Sequence, residues 1–284
     1  MKKGNCKKKG RVTMAATNKA DQELRDSLQV KPPSETIDYL NVLVYGAPGV
    51  GKTYLAGTAE DDPLTSPVLF LDVEGGVVTI RHRKGIDVPP ALKSIQEVET
   101  LYNTLYKSIK DGKLYYKTVV IDSLSELTDV DMRSIMRQAY QNNPDKVDKD
   151  VPSQREWGKA RVHMRSIVRA FRDLPCNVIF TAQEATVQEE GQPTKYMPGF
   201  AGKLRTELPG FMDIVGYLYA ENQGGEVTRK LQVQGTRRVV AKDRTSALGD
   251  VMENATIPHM WALIHNHSAG QVNNKTPASK EKEK

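Results

Sequence analysis

Between residues 37 and 267 the chain alternates two kinds of hydrophobic pattern. One is a short, nearly continuous apolar run: "NVLVYG" (41–46), "PVLFLDVEGG" (67–76), "YKTVVIDSL" (116–124), "CNVIFTAQE" (176–184) and "MDIVGYLYAE" (212–221). Such runs read as strands covered on both faces. The other pattern has helical spacing, as in "IQEVETLYNTLYKSIKDG" (95–112) and "ARVHMRSIVRAFRDL" (160–174). Alternation of the two predicts an α/β domain with a mostly parallel central sheet flanked by helices. After the fifth run, "RKLQVQGTRRVVAKD" (229–243) alternates around Gly235 and predicts a C-terminal β-hairpin. Met132, Met136 and Met164 follow helical spacing and are expected in packing contacts. His265 and His267 fall at the end of a terminal helical stretch, with no further ligand near in sequence to suggest a metal.

The flanks lack this periodicity. Residues 1–36 are polar and close on "KPPSE", which predicts a disordered basic arm and linker with one short helix over "ADQELRDSLQ" (20–29). Residues 268–284 predict a disordered tail. The formal net charge of +6 sits in these flanks: residues 1–11 carry +6 and residues 268–284 carry +2, which leaves −2 for the stretch between. Basic tails can add non-specific affinity for nucleic acid or simply aid solubility. No run of eighteen apolar residues exists to cross a membrane, and the basic N-terminus lacks the apolar core of a secretory signal. Two cysteines, Cys6 and Cys176, are too few for a disulfide framework or a zinc site, so a reducing, cytoplasmic location is expected.

The strongest chemical signal is "VLVYGAPGVGKTYL". Gly46–Ala47–Pro48–Gly49–Val50–Gly51–Lys52–Thr53 matches GxxxxGK[ST], directly after a strand and before a helical pattern, with Tyr54 next. Glycines allow a tight turn in which successive N–H groups point at phosphate oxygens, and a helix start favours negative charge. Lys52, on a loop and expected to be exposed, would reach the β- and γ-phosphates, and Thr53 would offer its hydroxyl to Mg²⁺. The ligand class is therefore a nucleoside triphosphate such as ATP with Mg²⁺.

Two carboxylates complete the set. Asp122 ends the run "VVID", the place for a carboxylate that holds Mg²⁺. Ser123 follows it, so a water-activating base must come from elsewhere. Glu74 lies just past the end of the preceding strand, which in a parallel sheet is the same edge as the phosphate loop.

These residues resemble the RecA-type recombinase ATPase core, over about residues 41–250. The set comprises the GxxxxGKT strand–loop–helix, a strand ending "DVE", a strand ending "VIDS" and a strand ending in Gln. The closest likeness is to the core-only RecA-like ATPases of bacteriophages that promote single-strand annealing. The resemblance implies a RecA-like P-loop fold, Glu74 as the base that activates water, and Gln183 as the sensor of the γ-phosphate. It implies that Lys242 and Arg244 in "VVAKDR" reach the ATP of a neighbouring subunit, so that a ring or filament carries ATP at its subunit interfaces. It also implies two DNA-binding loops, within residues 139–161 around Trp157 and within residues 184–210. The second interleaves Lys195, Tyr196, Phe200, Lys203 and Arg205, cations and aromatics suited to phosphates and stacked bases. Its length suggests a functional loop. Expected partners are single-stranded DNA, further copies of the chain and a single-strand-binding protein, and no membrane.

Two other readings share the phosphate loop. A small-molecule P-loop kinase would also use Lys52 and Asp122, but it has no role for Glu74 at the strand end or for a late cationic pair. A nucleotide-binding structural protein would have no use for the hydrolytic set.

Overall fold

The computed structural model describes residues 19–30, 39–188 and 190–268. The basic stretch 1–11 and the tail from residue 269 lie outside the described residues. Residues 1–37 and 38–284 are two separate units. In the first, α1 (Lys19–Ser27) is the short helix expected there.

In the second unit, β1 (Asn41–Gly46) leads through a loop to α2 (Lys52–Gly57). β2 (Val68–Asp72), β3 (Ile86–Asp87), α3 (Ile95–Lys110), β4 (Thr118–Asp122), α4 (Leu124–Asn142), α5 (Gln154–Arg172) and β5 (Asn177–Val187) follow. Then come β6 (Lys195–Pro198), α6 (Leu204–Phe211), β7 (Ile214–Gln223), β8 (Glu226–Gln232), β9 (Lys242–Asp243), β10 (Val251–Glu253) and α7 (Ile257–Ser268). The sheet runs β10-β8-β7-β1-β5-β4-β2-β3, with β6 on β5 and β9 on β7. All pairings from β7 through β1, β5, β4 and β2 to β3 are parallel.

The continuous apolar runs follow from burial on both faces. Leu43, Tyr45, Leu71, Ile121 and Phe180 point to the side covered by α3, α4, α5 and α6. Val42, Val44, Phe70, Val120 and Ile179 point to the side covered by α2 and α7. The long helices start at capping serines: Ser94 accepts from Glu97 N–H, Ser123 from Glu126 N–H, and Ser153 closes a capping box with Glu156. Met132, Met136 and Met164 are buried in packing contacts as expected.

The C-terminal hairpin exists, but not around Gly235. It joins β7 to β8 through Gly224 and Gly225, whose φ angles of 64° and 93° suit a tight turn. Gly235 instead lets the chain fold closely on itself, since a Cβ there would lie 2.8 Å from the Ala241 carbonyl oxygen. Lys242 and Asp243 turn away from β8 and pair antiparallel with the start of β7. Pro209, Gly210 and Phe211 form the last turn of α6.

Phe180 is 0% exposed at the middle of β5. Phe180→Ala is expected to cost about 3–5 kcal/mol by leaving a cavity under the sheet. Urea unfolding of the two proteins measures this directly.

Candidate functional site

The parallel strands end together, and their register determines what meets at that edge. Gly46 pairs with Gln183 across β1 and β5, and Asp72 with Asp122 across β2 and β4. The loop after Gly46 turns on Gly49 (φ 75°) and Gly51 (φ 110°), conformations that a side chain would strain. Gly46 is required for a second reason: a Cβ there would sit 2.2 Å from the Leu218 carbonyl oxygen of β7.

Lys52 is buried, at 6% exposure, not exposed as a loop residue would suggest. Its ammonium donates to Gly46 O at 3.0 Å, Ala47 O at 2.9 Å and Gln183 Oε1 at 3.2 Å. Burial pulls it below the ordinary lysine value, and the nearby Glu74 and Asp122 carboxylates oppose that shift. The Gln183 amide donates in turn to Glu74 Oε1 at 2.6 Å. Gln183 therefore bridges the lysine of the phosphate loop to the carboxylate at the next strand end.

Glu74 is held by its backbone. Val73 N–H and Glu74 N–H both donate to Asp122 O, at 2.7 and 3.1 Å. The Asp72 carboxylate accepts from Gly75 N–H at 2.8 Å and Gly76 N–H at 2.9 Å, which folds the chain back beneath it. The Glu74 side chain is left exposed at the loop's mouth.

Asp122 is 1% exposed and accepts from Thr53 Oγ1 at 2.7 Å and from Thr181 Oγ1. Burial pushes its carboxyl above the ordinary value, against the pull of those two hydrogen bonds. The residues fit Mg²⁺. A Cβ on Gly76 would lie 3.2 Å from Thr53 Oγ1 and 3.5 Å from Asp122 Oδ2, so glycine keeps open the space beside that hydroxyl–carboxylate pair. Oxygen ligands of this kind suit a hard cation.

Two supporting residues escape sequence reading. Thr181 orients Asp122 from the neighbouring strand, and Ser125 Oγ accepts from Gln183 N–H at 3.0 Å. A threonine two positions before a strand-end glutamine is the one trace that points to the first. Nothing in the sequence marks Ser125.

The stretch 184–210 is not one long loop. β5 continues past Gln183 and pairs with β6, Val187 opposite Lys195 and Glu184 opposite Pro198, and α6 follows. Phe200 is 2% exposed and packs in the core with Leu204 and Leu208, so it is not free to stack on a base as expected. The run after β6 turns inward because α6 needs a covered apolar face. Tyr196 is half-buried and stacks on Tyr217 at 5.3 Å. Arg205 spends its Nε on the Phe200 carbonyl at 3.0 Å, bracing that turn. Lys195 and Lys203 are exposed. Trp157 lies in the first turns of α5, not in a loop, and lines one cleft with Arg161, Gly202 and Lys203. Tyr196 N–H donates to Arg238 O at 2.6 Å, which brings the exposed Arg237 and Arg238 beside Lys195.

Lys242 and Arg244 are not brought to the phosphate loop of their own chain. Lys242 pairs with Val215 and Asp243 with Ile214, and Ile214 lies beside Val42. Gly46 is four residues further along β1, about 13 Å at strand rise. Lys242 Nζ donates to Pro209 O at 2.8 Å, and Arg244 Nη2 to Gly210 O at 3.0 Å, with Asp213 Oδ1 3.4 Å from Nη1. Burial lowers Lys242 below the ordinary lysine value, helped by its neighbour Arg244. The Arg244 side chain remains 55% exposed.

No group of three or more His, Cys, Asp or Glu side chains suited to a metal occurs among the described residues. His265 instead stacks on Trp261 at 3.5 Å. Among the same residues no helix is long and apolar enough to cross a membrane.

A family profile described as an AAA domain matches residues 38–245. No curated protein matches the chain. Among solved structures it is similar to a KaiC-like protein from the hyperthermophilic archaeon Pyrococcus horikoshii, with a TM-score of 0.40 and 17% identity over 70% of this chain and 79% of that one. The architecture expected from the sequence, a mostly parallel, helix-flanked P-loop domain, is the one found.

A carboxyl held above its ordinary value favours folding only while protonated. That contribution is complete below the ordinary value and is lost as pH rises through the raised one. Asp122→Asn carries no charge at any pH. It is expected to unfold at a higher temperature than the parent at neutral pH, with the gap closing near about pH 4. Thermal unfolding at the two pH values checks this, and a lower midpoint for the variant at neutral pH would mean that the threonine hydrogen bonds outweigh burial.

Proposed function

The chain belongs to the AAA domain family of P-loop proteins, and from that premise we propose that it hydrolyses ATP, binds single-stranded DNA and promotes annealing in homologous recombination as an oligomer. The observation that carries the reading is the chain of contacts Lys52–Gln183–Glu74 at the mouth of the phosphate loop. A purely structural nucleotide site has no use for an exposed carboxylate wired to the phosphate-binding lysine.

The residues divide the reaction as follows. Backbone N–H groups of Gly49 to Thr53 cradle the phosphates. Lys52 exchanges its carbonyl acceptors for phosphate oxygens. Thr53 and Asp122 would hold Mg²⁺, which when bound neutralises charge on the triphosphate. Glu74 accepts the proton of the attacking water as its oxygen bonds the γ-phosphorus and the bond to the β-phosphate oxygen breaks, yielding ADP and phosphate. Gln183 loses its hold on Lys52 and Glu74 when phosphate arrives. Because Gln183 sits at the root of the β5–β6 hairpin, that change is carried toward Lys195.

Exposed cations with no carboxylate partner among the described residues support the DNA reading. Lys195, Arg237 and Arg238 cluster on the hairpin side, next to the half-buried Tyr196. Lys203 and Trp157 share a second cleft. Lys242 and Arg244 sit too far from their own loop to act in cis, which supports a role at a neighbour's ATP. Measuring ATPase activity with and without single-stranded DNA tests the whole proposal. Turnover only with a small phosphate acceptor would point to a kinase, and no turnover at all to a structural protein.

Glu74→Gln is expected to bind ATP as the parent does while hydrolysis falls about 10²–10⁴-fold. Undiminished hydrolysis would place the base on another carboxylate.

Lys52→Ala and Arg244→Ala subunits are each expected to be inactive alone. Mixed, they form some interfaces with an intact phosphate loop facing an intact arginine, so part of the activity should return. A mixture shown to co-assemble without recovery would make Arg244 a structural partner of Asp213.

A further inference from the structure

We infer that Arg229, on β8, is a positioning residue for the bound phosphates, holding the phosphate loop from behind in the same chain. This rests on the reading of residues 46–53 as a triphosphate site. Arg229 Nε–H donates to Val50 O at 3.1 Å. Val50 C=O and Gly51 N–H belong to one trans peptide, so they point in opposite directions. A donor that draws the carbonyl outward therefore turns the Gly51 N–H into the cradle, where a phosphate oxygen would accept it.

Glycine at position 51 serves this arrangement in two ways. Its φ of 110° makes the turn, and its bare outer face admits the arginine, since a Cβ there would lie 3.0 Å from Arg229 Nε and 3.3 Å from Cδ. The strand that presents Arg229 is itself anchored. Asn254 N–H donates to Arg229 O at 2.7 Å, Arg229 N–H donates to Asn254 Oδ1 at 3.4 Å, and Ala220 of β7 lies opposite. The same hairpin touches the loop's other end, where the Leu218 carbonyl covers Gly46. The loop is thus gripped at both ends by β7 and β8.

Charge adds to geometry. Lys230, the next residue, pairs with Glu221 at 2.8 Å and Glu253 at 3.4 Å. Arg229 has no carboxylate within ion-pair distance among the described residues, so its charge is free to add to the positive potential of the loop. Exposure means salt will screen that part, whereas the hydrogen bond to Val50 persists.

The test is calorimetric binding of ATP and ADP at low and high salt, with thermal unfolding of the nucleotide-free proteins alongside. Arg229→Ala is expected to weaken both ligands about tenfold, with an unchanged unfolding midpoint. Arg229→Gln keeps an N–H donor without the charge, so it should recover part of the loss, and its remaining deficit should shrink at high salt. Unchanged affinity in Arg229→Ala would overturn the inference. So would a loss matched by lower stability of the free protein and not recovered by glutamine, which would make Arg229 a brace for the hairpin alone. If the parent protein binds neither nucleotide, the reading of the loop itself fails first.

Discussion

An ammonium taken out of water needs acceptors close by, and Lys52 finds them in Gly46 O, Ala47 O and the Gln183 side chain. That demand shapes the whole edge of the sheet. The loop must curl so that its own carbonyls face inward to the lysine. β5 must run beside β1 in the register that sets Gln183 opposite Gly46. The acceptors are neutral dipoles, so among the described residues a buried positive charge is held without a direct ion pair. A phosphate offers that charge a better partner, and the arrangement is poised to release two carbonyls and an amide when one binds.

Around this point the sheet works as a ruler. Parallel neighbours end at one edge, so residues far apart in sequence arrive within hydrogen-bond distance: Thr53 and Thr181 at Asp122, Gln183 at Glu74. Burying each strand on both faces is what makes that register stiff, because a one-residue slip would send every apolar side chain to the wrong layer. The buried Asp122 carries a cost in stability of the free protein, a common feature of sites arranged for a ligand's charge.

The glycines show how tightly the C-terminal hairpin is fitted to the loop. Leu218 and Arg229 both occupy space that a side chain on Gly46 or Gly51 would need. Two glycines that a motif assigns to phosphate contact are thus also packing requirements set by β7 and β8. Arg244 and Lys242 meanwhile cover the carbonyls at the end of α6, at the far end of β1 from the loop. A cationic pair at that distance has structural work in its own chain, whatever it does for a neighbour.

The sequence by itself determined the strands, the phosphate loop and the two carboxylates at the strand ends. Those signals are local: apolar runs report burial, GxxxxGKT reports a backbone turn, and an acidic residue closing a run reports a strand tip. What it left open depended on contacts across long stretches of chain. "RKLQVQGTRRVVAKD" alternates well enough for a hairpin around Gly235, yet β8 pairs with β7 because Gly224 and Gly225 offer the tighter turn and β7 offers a longer ladder. Phe200 looked available beside Lys195 and Lys203, but α6 draws it into the core. Lys52 is buried although it follows a glycine-rich loop. Ser125 and Arg229 carry no motif, and only the folded sheet brings them to Gln183 and Val50. Periodicity tells which side of an element is apolar. It does not tell which distant backbone group a polar side chain will meet, and at this site those meetings decide the chemistry.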